Sequence, residues 1–283
     1  MKVFRNNETL KGIASLKINV EFACPDGHPQ YMHVIFPQDI ALGVRHPLIV
    51  FLQGSGWTRP NKDYEVAQLS QFARAGYVVA TIEHRHAKEA PGKLAFLEDT
   101  KSAIRYLRAH ADEYGIDPTR VCMWGTSSGG NTALLVGMTA DTDKYDVGEN
   151  LDQSSKVQLV VDTFGPADLH ARVLERFNDR ETYDPESTFS YLAGGFPGDN
   201  LELFREMSPM FYVEEGRDFP PMLIMNGTKD AAVSYEGSLA FYEAMEKAGY
   251  DVEFIRVEDG PHEGTFWSSE LFDEILDYIQ RKL

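Results

Sequence analysis

The sequence has few cysteines and no long apolar run. Of its 283 residues only Cys24 and Cys122 are cysteines, too few for a disulfide framework. No apolar run reaches the roughly 20 residues of a membrane span, and the first residues, MKVFRNNETLKG, lack the apolar region of a signal peptide. These absences predict a cytoplasmic protein that makes no membrane contact.

Positive charge is also scarce. The formal net charge is -17, and no basic stripe of the kind that binds nucleic acid is present. An acidic surface disfavours anionic membranes and polyanionic substrates through long-range repulsion. Apolar residues make up 43% and charged residues 25%, which is typical of a soluble globular protein. The chain is long enough to bury a sizeable core, as one large domain or two small ones.

Two kinds of apolar pattern predict the strands. Near the start, apolar and polar residues alternate over 16–22 and again over 32–36, which predicts a hairpin or two neighbouring antiparallel strands. After Pro47 the apolar runs become continuous, as in strands buried on both faces. The runs are PLIVFLQG, YVVATIE, RVCMWG, VQLVVDTFG, PMLIMNG and VEFIRVED.

Helical patterns separate these runs, at 64–75, 93–113, 235–248 and 269–282. Alternation of this kind predicts the α/β class, with a mostly parallel, doubly wound sheet of about eight strands. Residues 166–219 do not fit the alternation, being polar and rich in Gly and Pro. We interpret 1–283 as a single domain in which 166–219 is an edge insertion or a small cap.

The stretch WGTSSGG, residues 124–130, lies between the strand RVCMW and the apolar helical run TALLV. This context is that of a G-x-S-x-G elbow, in which a serine occupies a sharp turn from strand to helix. A side chain at either flanking glycine would clash with the neighbouring strand and helix. The alternative, a polar Gly/Ser turn without chemistry, is disfavoured by that context.

Glycine register separates the two serines of the elbow. Gly125 and Gly129 flank Ser127 symmetrically. The matching positions around Ser128 hold Thr126 and a glycine. We therefore predict Ser127 as the nucleophile and the Ser128 amide as a donor to an oxyanion.

A serine nucleophile needs a base and an acid, in the chain order Ser, acid, His. His262 follows the strand VEFIRV and precedes the last helical pattern, which favours it over His170 in the irregular segment. Asp230 follows the strand PMLIMNG and is the predicted acid, with an Asx turn or a helix cap as its alternative role. Asp168 is the second choice, and Asp162 is less well placed inside its strand.

The loop QGSGW follows the strand PLIVFL, where this architecture places oxyanion donors. We predict donors at the amides of Ser55 and Gly56, together with that of Ser128, and expect Gly54 to shape the turn and border the substrate pocket. The further candidates for lining the pocket, with surface packing as the alternative, are Trp57, Arg59, Tyr64 and Trp267.

With these motifs the chain resembles the α/β-hydrolase superfamily over about residues 45–283. It is most similar to the esterase/lipase branch, which includes hormone-sensitive-lipase-like and acetyl-xylan or feruloyl esterases. The most specific segment is YGIDPTRVCMWGTSSGG. The resemblance implies cleavage of carboxylic esters without a cofactor by a Ser–His–Asp triad, here Ser127, His262 and Asp230.

The chain departs from the usual pattern of that branch at three motifs. The usual His-Gly-Gly of the oxyanion loop is Gln53-Gly54-Ser55 here. The elbow usually reads Gly-Asp-Ser-Ala-Gly-Gly, and here Thr126 and Ser128 replace Asp and Ala. The usual Tyr-Arg after the next strand is His84-Arg85. These departures concern substrate preference, since backbone donors survive a change from Gly to Ser.

The function predicted from the sequence is therefore that of a serine carboxylesterase for small-molecule esters. Short-chain acyl or aromatic-acid esters are expected, including carbohydrate-linked acetyl or feruloyl esters. The alternatives are a peptidase or amidase of the same fold and a non-catalytic ligand receptor on this scaffold. No metal site is predicted, because His84 and His86 have no third ligand at suitable spacing. The sequence does not decide whether the chain forms a homo-oligomer.

Overall fold

The computed structural model describes residues 1–214 and 216–283. Its strands are β1 Ala14–Ala23, β2 Gln30–Pro37, β3 His46–Leu52, β4 Val78–Ile82, β5 Ile116–Thr126, β6 Leu159–Thr163, β7 Met222–Gly227 and β8 Val252–Val257. Its α-helices are α1 Val66–Arg74, α2 Ala95–Ala109, α3 Ala111–Tyr114, α4 Ser128–Met138, α5 Leu169–Arg176, α6 Thr188–Ala193, α7 Leu201–Glu206, α8 Tyr235–Lys247 and α9 Ser269–Lys282. In this part of the chain no helix is both long and apolar enough to cross a bilayer.

The strands form one eight-stranded sheet in the order β1-β2-β4-β3-β5-β6-β7-β8. β2 pairs antiparallel with β1 and with β4. Every other neighbouring pair is parallel. The predicted sheet, mostly parallel with an antiparallel start, is confirmed.

Apolar residues of the central strands enter cores on both faces of the sheet. In β3, Leu48, Val50 and Leu52 belong to one core, whereas Ile49 and Phe51 belong to the other. The first core is covered by α2, α4 and α8, and the second by α1 and α9. Strands with apolar side chains on both faces lose the polar alternation, which is why their sequences read as continuous apolar runs.

The two edge strands differ from what the patterns predicted. In β1, Leu16 and Ile18 are 48% and 61% exposed, although Val20 and Phe22 are buried. The register with β2 shifts between Lys17 and Val20, and such an irregularity interrupts the alternation of faces. β8 was predicted to be buried on both faces, but its residues are only partly buried because it lies at the edge of the sheet.

The helices agree with the patterns except in two places. The pattern over 93–113 contains two helices, α2 and α3, with a break at His110. Residues 166–219, predicted as an irregular insertion or cap, contain the short helices α5, α6 and α7. Helices of six to eight residues are too short to show a clear periodicity, so the pattern was weak.

Asp162 lies in β6 beside Gly125 of β5 and is almost completely buried. Its Oδ1 accepts a hydrogen bond of 2.9 Å from the Gly165 amide, whereas its Oδ2 has no partner among the described residues. Burial raises the pKa of this carboxyl well above its ordinary value, because the low-dielectric interior disfavours the charged form. We therefore expect Asp162 to be protonated in the folded protein well above the pH at which it ionises in the unfolded chain.

Replacing Asp162 by Asn should stabilise the protein increasingly as the pH rises. Because the pKa of Asp162 is raised in the folded state, its carboxyl contributes fully to stability only below its pKa in the unfolded chain, which is about 4. Above that value the stability falls by about 1.4 kcal/mol per pH unit up to the folded pKa, and the asparagine side chain has no such loss because it does not titrate. Urea unfolding between about pH 5 and 8 measures the difference. A difference between Asp162→Asn and the wild type that does not depend on pH would contradict the prediction.

Candidate active site

Ser127 joins β5 to α4 in a strained backbone conformation. Its φ is 52° and its ψ is -122°, in a region that non-glycine residues rarely adopt. The Ser127 amide donates to the Thr163 carbonyl at 2.9 Å, and its carbonyl accepts from the Asn131 amide at 3.0 Å. These two bonds fix the turn from both sides and hold the hydroxyl at the carboxyl end of the central strands.

The glycines that flank Ser127 have no room for a side chain. A Cβ on Gly125 would lie 2.1 Å from the Gly129 carbonyl oxygen. A Cβ on Gly129 would lie 2.1 Å from the carbonyl oxygen of Leu52 in β3. The sharp turn thus requires close approach of strand, elbow and helix, while Ser128 is already the first residue of α4.

His262 and Asp230 form a hydrogen-bonded chain with Ser127. The His262 Nε2 lies 3.0 Å from the Ser127 Oγ, and its Nδ1 lies 2.8 Å from the Asp230 Oδ2. A neutral imidazole with its hydrogen on Nδ1 donates to the carboxylate and accepts from the hydroxyl. The structure therefore brings together the three side chains predicted as nucleophile, base and acid.

The Asp230 carboxylate is held from two directions. Its Oδ1 accepts hydrogen bonds of 2.8 Å from the amides of Ala232 and Val233, which leaves Oδ2 for His262. The Asp230 side chain is fully buried, whereas that of His262 is 21% exposed. The sequence predicted an Asx turn as the alternative to contact with His262, and Asp230 makes both kinds of hydrogen bond.

The other predicted acids and the other histidine lie elsewhere. Asp168 caps α5 by accepting from the Ala171 amide at 2.8 Å. Asp162 is buried within β6. His170 packs edge to face on Phe211, with 5.3 Å between the ring centroids.

The oxyanion loop is hydrogen-bonded to the elbow through the two unusual residues next to Ser127. The Gly54 amide donates to the Thr126 Oγ1 at 2.8 Å, and the Ser55 amide donates to the Ser128 Oγ at 2.9 Å. Both hydroxyl-bearing side chains are buried. We name this pair of bonds the loop clamp. It offers the loop two side-chain acceptors that the usual Asp and Ala could not both supply.

The loop clamp corrects one predicted oxyanion donor. The Ser55 amide is already bonded to the Ser128 hydroxyl, so it is not free for a ligand. Gly56 and Ser128 both border the cavity next to Ser127. The Ser128 amide is the first of α4 and has no acceptor within the helix. Gly56 and Ser128 therefore stay the predicted donors. Gly54 shapes the contact, since a Cβ there would lie 2.5 Å from the Cβ of Ser127.

A cavity of about 240 Å³ opens beside the Ser127 hydroxyl. Among the predicted pocket residues, Trp57 lines this cavity and is buried, with only 5% of its surface exposed. The full lining is Gly56, Trp57, Ser127, Ser128, Pro166, Arg172, Thr188, Phe189, Ala232 and Val233.

Gly54 is not among the residues that line this cavity, and three further predicted pocket residues also lie outside it. The Arg59 guanidinium is paired with Glu83 at 3.1 Å and with Glu89 at 2.9 Å. Tyr64 is 60% exposed at the surface. Trp267 stacks on Phe272, with 5.0 Å between the ring centroids. Each follows a predicted motif closely in sequence, but nearness in sequence does not fix the direction of a side chain.

The cavity residues that the sequence did not single out come mainly from 166–219. Arg172 of α5 and Phe189 of α6 form one wall, so this segment borders the space next to Ser127. The only signal for them was the position of the segment after β6, at the end of the sheet where the elbow lies. Its composition gave no means to choose Arg172 over Arg176 or Arg180.

The two histidines considered as metal ligands have separate partners. His84 is buried, which lowers the pKa of its imidazole to about 4, and its Nδ1 lies 2.7 Å from the Arg85 carbonyl. The His86 ring accepts from the Lys88 amide at 3.0 Å. Over the described ranges, no group of three or more potential metal ligands is found.

Comparison with known proteins places these features in a family. The sequence profile of the BD-FAE family matches residues 34–245. Esterase LipC of Mycobacterium tuberculosis (strain ATCC 25618 / H37Rv) is 28% identical over 204 residues, which are 70% of this chain and 48% of LipC. The chain spans about half the length of the curated relatives it matches.

Two solved structures have a similar fold over nearly their whole length. A truncated form of a carbohydrate esterase from gut microbiota has a TM-score of 0.82 and 26% identity, covering 95% of this chain and 96% of that one. The thermophilic esterase Est2 of the planctomycete Thermogutta terrifontis, with butyrate bound, has a TM-score of 0.74 and 28% identity, covering 95% of each chain. The α/β-hydrolase fold predicted from the sequence is thereby confirmed.

Replacing Thr126 by Val should destabilise the protein through the loop clamp. The valine keeps the shape of the threonine but removes the acceptor of the Gly54 amide, and a buried donor left unpaired costs about 1–3 kcal/mol. Urea unfolding at neutral pH measures the change. Thr182→Val, at an exposed threonine, is the control and should change the free energy of unfolding by less than about 0.5 kcal/mol. Equal effects of the two substitutions would contradict the clamp.

Proposed function

Because the chain belongs to the BD-FAE family, in the esterase/lipase branch of the α/β-hydrolases, we propose that it is a serine carboxylesterase. The observation that carries this proposal is the hydrogen-bonded chain from Ser127 through His262 to Asp230. A serine hydroxyl is a weak nucleophile until an adjacent base accepts its proton, and this chain supplies that base with a carboxylate to orient it.

In the proposed reaction the Ser127 Oγ attacks the ester carbonyl and its proton passes to the His262 Nε2. The imidazolium, stabilised by Asp230, then gives this proton to the leaving alcohol as the C–O bond breaks. Water attacks the acyl-enzyme in the same way, with its proton passing through His262, and releases the acid and the free Ser127 hydroxyl. Two protons pass through His262 in one cycle. The first ends on the leaving alcohol and the second on Ser127, so that the net reaction consumes one water molecule.

The developing oxyanion is assigned to the amides of Gly56 and Ser128. Both residues border the cavity on the side of Ser127. The Ser128 amide lies at the N-terminus of α4, where the partial positive charge of the helix favours an anion. Donors fixed in place before the reaction stabilise the transition state without reorganisation, and each is worth roughly 3–4 kcal/mol.

The size of the cavity supports small acyl groups as substrates. Its volume of about 240 Å³ lies below the range of about 300–1,000 Å³ usual for ligand pockets. Two similar structures are described as a carbohydrate esterase and as an esterase with butyrate bound, which agrees with short acyl esters, carried on a sugar or on another alcohol. Residues 166–219 act as a small cap in this proposal.

Replacing Ser127 by Ala should abolish hydrolysis of 4-nitrophenyl acetate. Removal of the nucleophile of a Ser–His–Asp site lowers kcat by about 10⁶-fold in a well-studied protease, and a fall of at least 10⁴-fold is expected here. Release of 4-nitrophenolate, corrected for spontaneous hydrolysis, measures the rate. Ser269→Ala, at an exposed serine of α9, is the control and should retain full activity. Turnover by Ser127→Ala equal to that of the wild type would overturn the proposal.

The small cavity also predicts a preference among acyl chains. We expect kcat/KM for 4-nitrophenyl acetate and butyrate to exceed that for the octanoate by at least tenfold, because a chain longer than this cavity must place apolar carbons against the Arg172 guanidinium in its lining. Steady-state kinetics on the three esters measure this order. A higher kcat/KM for the octanoate would show that the cap opens to a larger acyl site and would contradict the assignment of this cavity.

A further inference from the structure

Arg172 stands between two adjoining cavities. It lines the 240 Å³ cavity next to Ser127 and also a larger one of about 570 Å³, which extends past Asp230. Both cavities share Pro166, Ala232 and Val233 as well. The guanidinium thus lies at the boundary that a molecule bound at Ser127 would cross if it extended from the smaller cavity into the larger one.

The Arg172 guanidinium is held in position by apolar and carbonyl contacts. Its Nη1 donates to the Ala232 carbonyl at 3.1 Å, and its Cζ lies 5.7 Å from the centroid of the Phe189 ring. Phe189 in turn stacks on Phe177 and Phe204, with centroid separations of 5.3 and 5.7 Å. Contacts of this kind reduce the freedom of the arginine side chain before any ligand arrives.

Among the described residues, the charge of Arg172 has no direct partner. Nine of the other fourteen arginines are paired with carboxylates, as Arg217 is with Asp141 at 2.9 Å. Across 1–214 and 216–283, no carboxylate lies within salt-bridge distance of Arg172, and Ala232 supplies its one hydrogen-bond acceptor.

The nearest charges act on Arg172 only at a distance. Burial lowers the pKa of the guanidinium, Arg176 lowers it further, and Asp230 and Glu175 raise it. Asp230 does not pair with it, because its Oδ1 is bonded to the Ala232 and Val233 amides and its Oδ2 to His262. A partly desolvated guanidinium with free N–H donors gains from a planar anion that it can bind through two parallel hydrogen bonds.

We infer that Arg172 binds substrate and selects esters that carry a carboxylate close to the scissile bond. This inference rests on the proposed function. The acidic surface does not prevent this binding. A carboxylate contacts the guanidinium directly, whereas its repulsion by acidic groups more than about 8 Å away is screened at physiological ionic strength. The carboxylate belongs either to the acyl half or to the alcohol half of the ester, and each arrangement has its own substrate pair below.

Two pairs of esters, matched in shape, test the charge preference. On the acyl side, 4-nitrophenyl 4-carboxybenzoate is compared with 4-nitrophenyl 4-carbamoylbenzoate. On the alcohol side, 4-acetoxybenzoate is compared with 4-acetoxybenzamide. The wild type should prefer the carboxylate over the amide by at least tenfold in kcat/KM in one of the two pairs, and the pair that shows the preference identifies the half of the ester next to Arg172.

The Arg172→Gln variant should lose this preference. The ratio of its kcat/KM values for the carboxylate and the amide should fall to within threefold of one, and this ratio is not affected by a loss common to both esters. Arg172→Lys should keep part of the preference, since it keeps the charge but not the planar fork. Arg176→Gln is the matched control, because Arg176 lies one turn along α5 and lines only the larger cavity; it should behave as the wild type.

A measurement on the wild type alone guards against a variant that fails to fold. Benzoate should inhibit hydrolysis of 4-nitrophenyl acetate competitively, with an inhibition constant at least tenfold below that of benzamide. Equal inhibition by the two, or equal kcat/KM within both ester pairs, would overturn the role of Arg172 while leaving the esterase proposal intact. If instead the esterase proposal is wrong, the wild type will hydrolyse none of these esters faster than Ser127→Ala does.

Discussion

The close packing of β3, the elbow and α4 is the constraint on which the site depends. Gly125 and Gly129 let three backbone segments approach to distances that exclude any side chain, and Ser127 is forced into a conformation with a φ of 52°. Such strain costs of the order of 1–3 kcal/mol and persists only where the surroundings determine it fully. Here those surroundings are β5, β6 and α4, whose residues around the elbow are all buried.

Several side chains serve the local backbone and the site at the same time. Asp230 forms a turn with one carboxylate oxygen and orients His262 with the other. Thr126 and Ser128 satisfy loop amides as parts of the elbow, so the loop that carries Gly56 is tied to the nucleophile. Motion of the loop is thereby restrained by the elbow.

The sequence predicted those parts of the site that the fold itself determines. Ser127, Asp230 and His262 each follow a strand, and the carboxyl ends of parallel strands meet at one edge of the sheet. Arg59 and Trp267 lie outside the cavity, because position after a motif does not fix the direction of a side chain. Arg59 turns to an ion pair with Glu89, and Trp267 stacks on Phe272. Arg172 and Phe189 were missed because the composition of 166–219 does not show which of its side chains face Ser127.

Ser127 as the nucleophile, rather than its neighbour Ser128, is the central claim of this account. The most direct test treats the protein with a fluorophosphonate, digests it and maps the modified residue by tandem mass spectrometry. We predict one phosphonyl group on Ser127, and none on the protein when His262 is replaced by Ala at the same exposure. Modification of Ser128, or modification that is independent of His262, would contradict the account.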